Sequence, residues 1–204
     1  YANQRIGSFG TGCFSLYATK NVMSGEGGMI TTNDDAIAKR CRLIRAHGME
    51  QRYYHDMLGY NFRMSDLHAA IGLAQIARLD RFTQQRQKNA AYLNKHITNP
   101  RIIIPTISQS TTEQVEHVWH QYTVRCTNGL DRDMAISALT TKGIGTGVFY
   151  PVPAHQQKHI IEMGYGDVIL PITELLSKEV LSLPVHPSLS QDDLNQIVSA
   201  VNSL

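Results

Sequence analysis

The chain has 204 residues, 42% of them hydrophobic, and its 19 Lys+Arg against 17 Asp+Glu leave a formal net charge of +2. That length buries a sizeable core and suits one domain or two small ones. A near-neutral balance with no basic stripe gives no support to nucleic-acid binding, and no apolar run approaches the roughly 18 residues a membrane span needs. Three widely spaced cysteines (Cys13, Cys41 and Cys126) make no disulfide framework, so a reducing, cytoplasmic setting is the plain reading. The opening Tyr1-Ala2-Asn3-Gln4-Arg5 holds neither an initiator Met nor an apolar signal region.

From Gly7 to Gly28 runs a glycine-punctuated loop region with short apolar pieces such as Cys13-Phe14-Ser15-Leu16-Tyr17. Met29-Ile30-Thr31-Thr32 reads as a buried strand, and Asn33 or Asp34 then caps a helix that places Ile37, Cys41 and Ile44 on one face and stops at Gly48. Arg40, Arg42 and Arg45 read as its solvated outer side. The long polar-aromatic connection from Gly48 to Met64 is of a length usually reserved for function or for a partner. Ser65 caps the longest helical pattern, from about Asp66 to Ile97, which exceeds ~25 residues and so is either kinked or links two domains. Its Leu67, Ala70, Ile71, Ala74 and Ala77 form a face suited to close packing.

Near Asn99-Pro100 the texture changes. Val118 to Cys126 alternates as a half-buried strand with Val118, His120, Tyr122, Val124 and Cys126 inward and Trp119 as the exception. Asp131 to Lys142 reads as a helix closed by Gly143, Gly147-Val148-Phe149-Tyr150 as a strand, and Ile172 to Leu181 as a helix. Ser190-Gln191-Asp192-Asp193 opens the last helix with a capping box. The layout predicts the end of an α/β layer and connecting helix over 1–97, then a smaller α+β domain over 98–204.

Candidate chemistry is sparse. Gly7-Ser8-Phe9-Gly10-Thr11-Gly12 lacks the G-x-G-x-x-G spacing and has no strand before it, which favours a turn over a dinucleotide site. His155 and His159 have a zinc-compatible i, i+4 spacing, but no further ligands accompany them, so no metal is expected. None of the cysteines has the context of a protease nucleophile, and buried structural thiols are expected. Lys20 is different: it sits among apolar and hydroxyl residues, with Gly25-Glu26-Gly27-Gly28 just behind. Desolvation favours the neutral amine that a Schiff-base nucleophile needs, and a serine five residues earlier could reach an anion cradled by the same loop. From composition alone, a surface lysine remains the default.

At this stretch the sequence resembles the sugar aminotransferases of the DegT/DnrJ/EryC1/StrS family. Gly10-Thr11-Gly12-Cys13-Phe14-Ser15-Leu16-Tyr17-Ala18-Thr19-Lys20-Asn21, continuing through Gly25-Glu26-Gly27-Gly28-Met29-Ile30, is similar to the segment around that family's Schiff-base lysine. Gly59-Tyr60-Asn61-Phe62-Arg63-Met64-Ser65 resembles a second signature block. Tyr150-Pro151-Val152-Pro153-Ala154-His155 and Leu181-Ser182-Leu183-Pro184-Val185-His186-Pro187 resemble two C-terminal ones. The match covers essentially the whole chain in order.

The resemblance implies an α/β fold, the aspartate-aminotransferase-like fold type I of pyridoxal-phosphate-dependent transferases: the end of the large domain followed by the small α+β domain. It implies pyridoxal 5'-phosphate held by Lys20, with Ser15 on its phosphate and Asn61 reaching that phosphate from the other subunit of a homodimer. Arg63 would lie near the substrate's phosphates, with Tyr150 and His155 near the sugar nucleotide. The implied reaction moves an amino group from an amino acid, glutamate in the family, to a nucleotide-linked ketosugar. Its product would be an aminosugar nucleotide for surface polysaccharide or a glycosylated metabolite. Family members are about twice this length, and the block carrying the carboxylate under the pyridine nitrogen is not present here. The expectation is therefore a C-terminal fragment, inactive alone. The alternatives are sugar dehydration, which typically replaces the lysine by histidine, and a non-catalytic interaction subunit.

Overall fold

A computed structural model describes residues 1–2, 4–107 and 115–204. Two compact units divide the chain: residues 1–82 belong to the first, and residues 83–107 with 117–204 to the second.

In the first unit, β1 (Gly12–Ser15) and β2 (Gly28–Thr31) pair antiparallel, with Gly12 opposite Thr31 and Ser15 opposite Gly28. The apolar piece at Cys13–Ser15 is thus a strand rather than part of a loop. The buried strand expected at Met29–Thr32 forms but is not buried, since Ile30 remains 51% exposed. Two strands alone offer no second layer to cover their faces. The glycine-rich opening is a turn that folds back on β1, where Thr31 Oγ1 donates to the Gly7 carbonyl at 2.9 Å.

Helix α1 (Asp35–Arg45) starts as expected, Asp34 accepting from the Ile37 amide at 3.0 Å. Gly48, at φ +71°, donates back to the Leu43 carbonyl at 2.8 Å and ends it. The long helical pattern divides into α2 (Asp66–Ile76) and α3 (Leu79–His96). Ser65 caps α2, accepting from the His68 amide at 3.3 Å. Neither Gly nor Pro stands at the break, and nothing in the local sequence explains it.

The second unit has a three-stranded antiparallel sheet in the order β3 (Ile102–Ile103), β4 (Tyr122–Cys126), β5 (Val180–Leu183). Tyr122 pairs with Leu183 and Ile102 with Cys126. Inward residues of β4 pack on α3, α4 (Arg132–Thr141) and the closing α7 (Gln191–Asn202) to form one core. Leu93 and Leu139 are fully buried there, each worth about 1.5–3 kcal/mol of transfer free energy. Tyr122 is buried too, its hydroxyl satisfied by Asn94 Oδ1 at 2.6 Å.

Three expectations need correction. The strand expected from Val118 begins only at Tyr122, because Trp119 at φ +47° breaks the alternation and turns its own ring inward. Gly147–Tyr150 makes a single bridge, Gly147 to Ser182, rather than a strand. The helix expected over Ile172–Leu181 is α6 (Pro171–Glu179), and the β-rich residues after it form β5. Between these regions lie short helical turns, Ala154–Gln156 and the one-turn α5 (Lys158–Ile160). The capping box is present as read: Ser190 and Asp193 bond each other's backbone amides, at 3.1 and 2.8 Å. Of the cysteines, Cys126 is a buried thiol as expected, whereas Cys13 is exposed because it lies on the uncovered two-stranded sheet.

Candidate active site

Ser15 ends β1, and its Oγ accepts from the Tyr17 amide at 3.3 Å, a local turn that leaves the hydroxyl proton free to donate. Residues 16–27 then form a loop closed at its neck. Leu16 donates to the Gly27 carbonyl at 2.9 Å and accepts from the Ser24 amide at 2.8 Å. A bridge between Tyr17 and Gly25 continues the closure. Lys20 lies midway along this loop, its amide donating to the Tyr17 carbonyl at 3.0 Å and its side chain half-buried.

The polar-aromatic connection is pinned along the end of α1. Tyr60 donates to the Ile44 carbonyl at 2.6 Å and Phe62 to the Arg45 carbonyl at 3.1 Å, which satisfies carbonyls the helix leaves open. Two i, i+2 pairs result. The rings of Tyr60 and Phe62 stack at 4.8 Å, and Arg63 Nε donates to Asn61 Oδ1 at 2.5 Å. With its oxygen so used, Asn61 keeps both amide protons, and Arg63 keeps its two terminal nitrogens.

Ser15, Asn61 and Arg63 border one open depression of about 1630 Å³ in the first unit. Arg42 and Arg45, expected as solvated charge, also line it, and Glu26 is the acidic residue in its wall. The structure thus brings three of the anticipated residues, each a hydrogen-bond donor, to one largely apolar concavity. Lys20 is carried by the adjoining loop and does not line it.

Tyr150 and His155 belong to the second unit. Tyr150 is 72% exposed and lies outside any regular element. His155 sits in the Ala154–Gln156 turn with a side chain only 9% exposed, its Nε2 3.1 Å from Glu174 Oε1. The same carboxylate oxygen accepts the Leu170 amide at 2.8 Å and so caps α6. The Leu170 N–H and then His155 hold the Glu174 carboxyl below the usual carboxylate range. Glu174 was missed by the sequence reading, although Pro171 followed three residues later by a carboxylate is a helix-start signal. Among the described residues no group of three His, Cys, Asp or Glu could hold a metal ion.

The model of the DegT/DnrJ/EryC1/StrS aminotransferase family matches residues 1–202. The chain belongs to that family. It is 39% identical over 208 residues to a protein of Geobacillus stearothermophilus named pleiotropic regulatory protein, covering 98% of this chain and 54% of the relative. It is 34% identical to the UDP-N-acetyl-3-dehydro-alpha-D-glucosamine 3-aminotransferase of Acidithiobacillus ferrooxidans, covering 97% and 52%. The chain therefore spans about half the length of the curated relatives it matches. Among solved structures, S. venezuelae DesV superposes with a TM-score of 0.87 at 33% identity, over 100% of this chain and 54% of that one. Streptococcus pneumoniae Spr1654, solved in its PLP form, superposes with a TM-score of 0.88 at 25% identity, over 100% and 54%. The expected family and the fold of the pyridoxal-phosphate-dependent aminotransferases, fold type I, hold for this family member. Among the described residues no helix is long and apolar enough to cross a membrane.

Proposed function

We propose that this chain forms part of a pyridoxal-phosphate-dependent aminotransferase that moves an amino group from an amino acid, glutamate by family resemblance, to a nucleotide-linked ketosugar. The observation that carries the reading is the Asn61–Arg63 pair beside Ser15 in one depression, next to the Lys20 loop. An exposed amide, a guanidinium fork and a free hydroxyl proton are the donor chemistry a phosphate dianion requires, and the residues present therefore fit the cofactor. Lys20 Nζ would hold it covalently, with Ser15 Oγ and Asn61 Nδ2 on its phosphate.

The cofactor supplies an electron sink for breaking a bond beside the substrate nitrogen, while the protein supplies orientation and proton movement. Lys20 Nζ, when not bound to the cofactor, would carry a proton from the donor's carbon to the cofactor in the first half-reaction and from the cofactor to the sugar carbon in the second. By the family resemblance, Arg63 would neutralise the phosphates of the nucleotide-linked sugar, and Tyr150 and His155 belong to the block the family uses near a sugar nucleotide. A lysine at position 20, rather than histidine, favours amino transfer over dehydration. Borohydride reduction followed by peptide mapping tests this: the cofactor should be fixed on the peptide containing Lys20. Fixation on any other peptide overturns the assignment.

The site would be shared across a homodimer, in the cytoplasm. Support comes from α2, an apolar helix whose Leu67 and Leu73 stand in solvent, directly after the Asn61–Arg63 segment. Such side chains on a short helix suit an interface between copies. Mixing inactive Lys20→Ala with impaired Asn61→Ala protein should restore activity, since a mixed dimer owns one site with both residues intact. Recovery of only the parental average, with subunit exchange verified, overturns the shared site.

A further inference from the structure

The most tightly built feature of the first unit is the clasp at the neck of the Lys20 loop. Ser24 is fully buried there beside Leu16, the buried hydrophobic residue among the described residues of that unit. Its hydroxyl donates to the Glu26 carbonyl at 2.8 Å and lies 3.5 Å from the Leu16 carbonyl, to which its amide donates at 2.8 Å. The Met64 sulfur lies 3.6 Å from the same hydroxyl. Gly27, at φ +151°, admits this approach: a Cβ there would stand 2.6 Å from the Met64 sulfur and 2.7 Å from Ser24 Oγ. On the far side Ser24 faces Gly72 of α2, where an added Cβ would make an ordinary 3.5 Å contact with Ser24 Cβ.

One side chain therefore touches both ends of the loop that carries Lys20, and also the residue that follows Arg63. A fully buried hydroxyl must find its partners within the protein, and these contacts supply them. Simple packing would be served by an apolar residue in this place. A polar clasp instead fixes the register of the loop ends.

The geometry points to Ser24 as a positioning residue for the reaction: its buried hydroxyl holds the ends of the Lys20 loop against the segment bearing Asn61 and Arg63. It thereby sets where the lysine amine stands relative to those anion-binding side chains. The inference rests on the cofactor reading above.

The test compares Ser24→Ala, Ser24→Thr and Leu93→Ala in the cofactor-loaded protein. Leu93→Ala opens a cavity in the second unit's core and controls for general loosening. Ser24→Ala should keep the borohydride-reducible cofactor on Lys20. It should shift the pH midpoint of the bound cofactor's visible band by about half a unit or more. In the cofactor-free protein, acetylation of Lys20 by sulfo-N-hydroxysuccinimide acetate should quicken by about tenfold, the change expected from losing one buried hydrogen bond. Ser24→Thr, which keeps the hydroxyl, should restore both values, and Leu93→Ala should move neither. Should Ser24→Ala fail to fold, Ser24→Cys carries the test in the same direction, being close in volume but a feeble donor. An unchanged midpoint and acetylation rate in Ser24→Ala or Ser24→Cys overturns the inference, as does an equal shift in Leu93→Ala. Absence of any reducible link to Lys20 in the unaltered protein overturns the functional reading, and this inference with it.

Discussion

The two units differ in what holds them. In the second, Leu93, Tyr122, Val124, Leu139, Leu181 and Ile197 close around one sheet, and nearly all the buried apolar surface of the described chain lies there. In the first, Leu16 and Ser24 are buried while Ile30, Leu67 and Leu73 stand in solvent. Yet Lys20, Ser15, Asn61 and Arg63, the residues proposed to hold the cofactor, all belong to the first. Stability and candidate chemistry are therefore carried by different parts of the chain. In the first unit local order comes from hydrogen bonds at loop necks and helix ends, which fix geometry more than they add stability.

The sharpest way to separate the two roles is Lys20→Ala in the cofactor-loaded protein. Losing the proton carrier alone should lower turnover by about 10²–10⁴-fold, and the reducible cofactor link should vanish with it. Thermal unfolding of the second unit should be unchanged, as followed by the fluorescence of Trp119. Retained turnover would break the assignment of chemistry to the first unit.

Thiol labelling gives the next largest contrast. Burial pushes the Cys126 thiol up to about 11, leaving about a hundredfold less thiolate than an ordinary thiol near neutral pH. Cys13, exposed on β1, should react with a disulfide reagent in the native state, and Cys126 only on unfolding. Equal rates at the two cysteines would mean that Cys126 is accessible in the native state and the second unit's core is not closed.

Truncation of buried and exposed leucines then measures the packing difference directly. Leu93→Ala should cost about 2–5 kcal/mol in urea denaturation of the chain. Leu73→Ala, at a side chain 72% exposed in α2, should stay within about 0.5 kcal/mol in the same measurement. A comparable cost at Leu73 would show that α2 is packed in solution, as a dimer interface would pack it.

Legibility in the sequence followed the same division. Local signals were read correctly where local bonds decide the outcome: Asp34, Ser65 and Ser190 cap their helices, and Gly48 ends α1. Four ordered signature blocks identified the family, and three of the expected site residues lie on one depression. What failed was burial and phase. Met29–Ile30 has the composition of a core strand, but burial depends on what covers it, which no local pattern states. Trp119 inverted the reading of its strand because a positive φ at a large aromatic carries no sequence signal. The end of α6 was overrun because Val180 and Leu181 continue a helical spacing while their pairing with β4 makes them strand. The Glu174–His155 contact joins residues nineteen apart and was invisible to motif reading.

That contact supplies the smallest effect. The Leu170 amide and His155 hold the Glu174 carboxyl below the usual carboxylate range. A carboxyl depressed in the folded state binds fewer protons there than in the unfolded chain. Its stabilising effect is therefore fully present above the unfolded carboxylate value, near 4.3, and is lost as pH falls through the depressed folded value. Glu174→Gln keeps an oxygen to accept the Leu170 amide but removes the titrating group. Acid unfolding of the second unit, followed by tryptophan fluorescence, should become less steep below that range, with little change at neutral pH. Glu174→Ala also removes the cap and should destabilise the unit at neutral pH as well. An acid limb in Glu174→Gln identical to that of the unaltered protein would show that Glu174 titrates as an ordinary surface carboxyl. The Glu174–His155 bond would then contribute nothing to how the second unit responds to acid.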